Sequence, residues 1–166
     1  ERTRFQSAAN HADKPTRLLA LLLLYTGCRI SEALATTPQH LDADTQRVVF
    51  RTLKRRRTVY RAVPIPAWLL AELITFAAPL APGDHLWPWC RQTAWRHISA
   101  LMHRAAVHGP MACPRGLRHG FGIRAAGKAV LPSLVQKWMG HASLDTTAIY
   151  LDAVGIEERQ FARRMW

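Results

Sequence analysis

A mostly α-helical domain with a small antiparallel β-sheet, an α+β fold, is what this sequence predicts, and three observations predict it. The run from Leu18 to Tyr25 is apolar enough to be buried on most faces and is closed by Gly27, as a buried helix would be. Two stretches rich in β-branched and aromatic residues, Arg47 to Thr52 and Thr58 to Val63, answer each other across a basic connector, as in a hairpin. Most of the remaining chain has amphipathic spacing interrupted by Gly and Pro.

Residues 1–13 read as a lead-in, after which Asp13 and Pro15 start the buried helix. Beyond Gly27, Ile30 to Leu34 reads as a second helix that Pro38 is placed to stop, which puts Cys28 and Arg29 at a helix junction. The hairpin follows, its turn crowded by Lys54, Arg55, Arg56 and Arg57. Trp68 to Ala78 is predicted as an amphipathic helix, Pro79, Pro82 and Gly83 as a loop, and Thr93 to Val107 as another helix. Breaks near Gly109-Pro110, Gly127 to Pro132 and Gly140-His141 leave short helices over Leu117 to Ala126, Ser133 to Met139 and Leu144 to Tyr150. In the tail over 151–166, Phe161, Met165 and Trp166 fall at spacings that form one apolar stripe. The whole is expected to be one domain, with its core over 14–150 and no internal repeat.

Composition narrows the function classes. With 49% hydrophobic residues a 166-residue chain can bury an ordinary core without disulfides or metal. A formal net charge of +12, from 23 Lys and Arg against 11 Asp and Glu, makes a polyanion the first partner to consider, and nucleic acid leads that class. The longest apolar run is far shorter than the roughly 18 to 20 residues that span a bilayer. Cys28, Cys90 and Cys113 are odd in number and widely spaced, which argues against a disulfide framework or a zinc finger and suits a reducing cytoplasm. Neither a His-x-x-x-His pair nor clustered carboxylates point to a two-metal nuclease. The chain opens at Glu1 without a Met, as expected of a fragment of a longer protein.

Four separated pieces carry the chemistry. They are Thr26-Gly27-Cys28-Arg29-Ile30-Ser31-Glu32, Lys54 on the hairpin, Gly116-Leu117-Arg118-His119-Gly120-Phe121-Gly122, and Gly140-His141 followed nine positions later by Tyr150. In their order and spacing they resemble the phage-integrase, Xer-like family of tyrosine recombinases from about Leu18 to Tyr150. The run Gly140-His141-Ala142-Ser143-Leu144-Asp145-Thr146-Thr147-Ala148-Ile149-Tyr150 is the most specific part, close to the family's Gly-His, Thr-Thr, Tyr ending. The resemblance implies the DNA breaking-rejoining catalytic fold and site-specific recombination or integration of double-stranded DNA through a 3′-phosphotyrosine. It also implies an N-terminal DNA-gripping domain that this chain does not include. Assembly as a tetramer on DNA through the tail and a nucleoid-associated, cytoplasmic setting follow from it too. Neither metal nor nucleotide cofactor is implied.

Chemistry explains why such residues are wanted. Attack on a phosphodiester builds negative charge on the non-bridging oxygens, and fixed positive donors lower that barrier. By resemblance Arg29 and Arg118 clamp the phosphate with planar forks that stay charged at any relevant pH. Tyr150 is the nucleophile, and nearby cations must make its hydroxyl effective because its ordinary pKa is about 10. Lys54 protonates the leaving 5′ oxygen, although Arg56 competes for that position when residues are counted back from Pro64, and an arginine is the worse acid. His141 donates a hydrogen bond to the phosphate. One position departs from the pattern: Arg115 stands three residues before Arg118, where the family commonly has His, and arginine can donate but not accept a proton.

Blander roles compete at each position. A lone Tyr on a short amphipathic helix is usually a packing residue, and Arg29 with Glu32 one turn on is an obvious ion pair, with Glu32 as structural support. Arg55, Arg56 and Arg57 read as a solvated basic turn to which phosphate contact is an addition. The tryptophans, among them Trp87, Trp89 and Trp95, fit helix packing and loop anchoring better than base stacking. Two functions compete with recombination: type IB topoisomerase-like relaxation, and a catalytically silent DNA-binding protein of the same fold.

Overall fold

The computed structural model describes residues 1–52, 58–143 and 146–148. Helix α1 (Arg2–Asn10) leads into α2 (Lys14–Thr26) and the short α3 (Ile30–Leu34). A 3-10 turn at Pro38–His40 precedes three strands, β1 (Leu41–Asp42), β2 (Arg47–Thr52) and β3 (Val59–Pro64), and then come α4 (Ala67–Ala77), α5 (Arg91–Arg104), α6 (Pro114–Gly127) and α7 (Pro132–Met139). The α+β architecture is therefore as the sequence predicts.

Helix α2 is the axis of the molecule. Asp13 caps its N-terminus by accepting from the Thr16 N–H at 3.1 Å, and Gly27 ends it in the left-handed region at φ +61. Every residue from Leu18 to Leu24 is buried, because α1, α3, α4, α5 and α6 all pack against it. At roughly 1.5 to 3 kcal/mol per leucine removed from water, this run is the main apolar investment of the fold.

The sheet is antiparallel in the order β1-β2-β3. In β2 the residues Val48, Phe50 and Thr52 are buried, and in β3 so are Arg61 and Val63, which places a charged residue on the inward face directly opposite Phe50. Strand β1, two residues long, is too short to leave a periodic signal in the sequence.

The lead-in before Asp13 proves largely helical. Helix α1 has no side-chain cap bond and buries only Phe5 and Ala9, so docking on α2 and α5 holds it where local sequence gives little sign. Helices α6 and α7 begin earlier than predicted because Pro114 and Pro132 occupy the first turn, where a missing N–H costs nothing. Helix α5 stops short of Val107, with Ala106 in the left-handed region at φ +50. Trp87 is buried and donates its indole N–H to the Pro15 carbonyl at 2.8 Å, and Trp89 stacks on His97, as anchoring residues would. Trp95 is exposed. No helix among the described residues is long and apolar enough to cross a membrane.

Candidate active site

Where α2 ends, α3 begins. Arg29 is the N-cap of α3, and its backbone N–H donates to Glu32 Oε2 at 2.7 Å while its guanidinium donates to Glu32 Oε1 at 2.9 Å. Glu32 thus serves the half of a capping box in which the third helical residue reaches back to the cap. Its side chain is wholly buried, whereas that of Arg29 is a quarter exposed. Beyond Glu32, the other Arg29 donors have no partner among the described residues.

Arg118, on the second turn of α6, reaches across two helix ends. Its Nη1 donates to the Gly27 carbonyl at 2.7 Å and its Nη2 to the Met139 carbonyl at 2.7 Å, so one planar fork ties the end of α2 to the end of α7. Carbonyls at helix C-termini have no partner within the helix and attract cations, which is why a guanidinium settles there. Gly27 permits the approach: a Cβ on it would lie 2.6 Å from Phe121 Cδ1, one turn beyond Arg118 on α6.

His141 is delivered by the turn that closes α7. Gly140 takes φ +64, its N–H donates to the Lys137 carbonyl, and the His141 N–H donates to Gln136 at 3.1 Å, the pattern of a Schellman cap. The imidazole is buried, with Nδ1 2.9 Å from Thr147 Oγ1, itself fully buried in the helical residues Thr146–Ala148. Burial first, and then the charges of Arg118, Arg29 and Arg61, push the imidazole down to about 4, so it is neutral at pH 7.

The residue that sequence reasoning missed is Arg61. Only 6% exposed, it donates Nη2 to Glu32 Oε2 at 2.6 Å, Nη1 to Glu32 Oε1 at 3.1 Å and Nε to the Trp138 carbonyl at 2.8 Å. With Val48 and Val63 recognised as core residues, strand alternation puts Arg61 inward, and that was the available signal. Burial alone would raise the Glu32 carboxyl. The hydrogen bonds and charge of Arg61, with those of Arg29 behind, instead hold it below the usual carboxylate range.

Three guanidiniums and one carboxylate leave two positive charges in excess beside a neutral imidazole, an arrangement suited to an anion. An open cleft of about 440 Å³, lined by Thr52, Tyr60, Arg61, Gln136, Lys137 and His141, adjoins it between β3 and α7. Cys28 lies next to Arg29 in the chain, but burial pushes its thiol up to about 12, which makes it inert. Arg29, Arg118 and His141 are therefore brought together. Arg115 is exposed one turn before Arg118, and no described residue pairs with it. Lys54, Arg55, Arg56, Arg57 and Tyr150, like the tail, lie outside the described residues. Among the described residues no group of three His, Cys, Asp or Glu is placed to hold a metal ion.

A model of the phage integrase family matches residues 2–154. This chain belongs to the phage integrase family. Among curated members of the family, it is 30% identical over 159 residues to the tyrosine recombinase XerD of Mycobacterium leprae, covering 85% of this chain and 50% of that protein. XerC of Rhodospirillum centenum is 35% identical over 146 residues, with 82% and 42% covered. XerA of Pyrococcus furiosus is 28% identical over 144 residues, with 81% and 49% covered. The chain thus spans about half the length of the curated relatives it matches. Three solved structures show the family fold. XerA recombinase superposes with a TM-score of 0.81 at 22% identity, over 99% of this chain and 62% of that one. The post-cleavage complex of XerH with palindromic difH gives 0.83 at 21%, over 97% and 50%. The catalytic domain of bacteriophage HP1 integrase gives 0.75 at 21%, over 98% and 89%.

Proposed function

We propose that this chain is the catalytic domain of a site-specific DNA recombinase or integrase. Tyr150 attacks a DNA phosphate, the new bond from its oxygen to phosphorus replaces the bond to the 5′ oxygen, and a 3′-phosphotyrosine and a 5′-hydroxyl result. A 5′-hydroxyl of a partner strand then reverses the step, so the phosphate bond energy is kept within the covalent intermediate.

The convergence of Arg29, Arg118 and the neutral His141 on one surplus of positive charge is the observation that carries this reading. In it the two arginines neutralise the non-bridging oxygens as the phosphorus becomes five-coordinate. In this reading His141 donates to the phosphate from Nε2, which assigns Nδ1, 2.9 Å from the Thr147 hydroxyl, as the acceptor of that contact. Lys54 gives the 5′ oxygen its proton. Arg115 supplies charge and donors, and because it has no acceptor the Tyr150 proton passes to water.

Double-stranded DNA is the partner under this reading, gripped also by Arg55, Arg56 and Arg57. The related XerH has been solved with a difH substrate in both pre-cleavage and post-cleavage complexes, which supports it. The tail over 151–166 docks on a neighbouring subunit in the assembled tetramer, and deleting 156–166 is expected to weaken assembly on DNA, which unchanged cooperativity of binding would refute. A nicked suicide duplex provides the principal test. Full-length protein carrying this chain should form a denaturation-resistant adduct with it that disappears in Tyr150→Phe. Undiminished DNA binding without any adduct would overturn the reading, as would cleavage that depends on added magnesium.

A further inference from the structure

We propose that Arg61 is a positioning residue for the strand-transfer chemistry, a crossbar that sets Arg29 and the His141 turn in one geometry. The inference rests on the functional reading above and deepens it. An arginine on the inward face of a strand is costly unless its donors are used. Here they are used on parts of the site that come from different elements.

On one side, Arg61 spans both oxygens of Glu32, the same oxygens that take the backbone N–H and the guanidinium of Arg29. Glu32 cannot rotate without losing one arginine or the other. On the other side, Arg61 Nε holds the Trp138 carbonyl, next in the chain to the Met139 carbonyl held by Arg118. Both orphan carbonyls of the last α7 turn therefore end on arginines. Gly140 closes directly on the same side chain, because a Cβ there would meet the Arg61 guanidinium carbon at 3.1 Å. The turn that aims His141 is built against Arg61.

Stability alone does not account for the arrangement. Well-packed apolar residues often replace a buried ion pair at no loss of stability, so burial of the pair is not by itself a sign that it serves the fold. Such a pair would leave the Trp138 carbonyl without its donor and Arg29 without a fixed acceptor. Phe50, opposite Arg61, sets its ring under the guanidinium with the centroid 5.2 Å from the guanidinium carbon, a further contact that holds the side chain.

The test compares Arg61→Lys with a core variant remote from the site, Leu73→Ala, in the full-length protein carrying this chain. Lysine keeps the charge on Glu32 but cannot span two carboxylate oxygens and a carbonyl in one plane. At saturating suicide duplex and well below both melting temperatures, Arg61→Lys should form the Tyr150 adduct about 10²-fold more slowly, with DNA affinity within about threefold of wild type. Leu73→Ala should melt earlier yet cleave at the wild-type rate. Because Arg61 acts in part by setting Arg29 through their shared carboxylate, the double variant Arg29→Lys/Arg61→Lys should lose less than the product of the two single losses.

The inference is overturned by a wild-type rate in Arg61→Lys, by an equal loss in Leu73→Ala, or by multiplicative losses in the double variant. Should Arg61→Lys fail to fold, Glu32→Gln takes its place with the same expectations, since the amide offers one acceptor oxygen where two are needed. If wild type itself gives no Tyr150-dependent adduct, the functional reading falls and takes the crossbar with it. An adduct in wild type that survives Arg61→Lys at full rate sinks the crossbar alone.

Discussion

Arg118 ties two helix ends together with one planar group, so a flexible point charge is a poor replacement for it. Arg118→Lys is expected to slow adduct formation by about 10² to 10³ while leaving a folded protein, checked by single-turnover cleavage alongside thermal melting. His141 gives a second expectation at this scale. Its folded-state pKa, about 4, lies below the ordinary histidine value of about 6.5, so on acidification the unfolded chain takes up the proton first. Stability should therefore fall as pH drops from about 6.5 towards 4, by no more than about 1.4 kcal/mol per pH unit from this group. Melting curves between pH 7 and pH 5 should show that slope flattened in His141→Gln. Arg29, Arg118 and His141 could be singled out as candidates because each belongs to a short motif whose neighbours announce it, and the fold brings them together. Arg61 was not, since its partner Glu32 lies 29 positions away and no local spacing reveals a pair made by tertiary packing.

Helix α2 shows how far an element can be read from the chain. Asp13 and Gly27 mark its ends and the leucine run declares it buried, so its limits match those predicted. Helix α1 has none of those marks, and its shape comes from the surface it docks on. The end of α2 also yields an expectation of its own. Gly27→Ala puts a Cβ both in the left-handed region and 2.6 Å from Phe121, and should cost at least about 2 kcal/mol in urea denaturation. Because Phe121 and Arg118 share α6, cleavage should fall with it by more than the lost stability explains.

Across the whole molecule, the net charge of +12 implies that the proposed DNA binding is governed largely by counterion release. Binding measured by fluorescence anisotropy should weaken steeply with salt, and Arg55→Ala or Arg57→Ala should each reduce the slope of log affinity against log salt by about one. Composition carries the surplus of positive charge on which the proposed polyanion partner rests. The sharing of one carboxylate between two arginines was not legible there, because it exists only once the fold has closed. That closure has a further meaning. Arg118 meets a carbonyl 91 positions away, Arg61 one 77 positions away, and each bond joins segments far apart in the chain. Under the proposed function, a chain that has only partly folded has no assembled anion cradle, so strand cleavage should arise only once the native topology has closed.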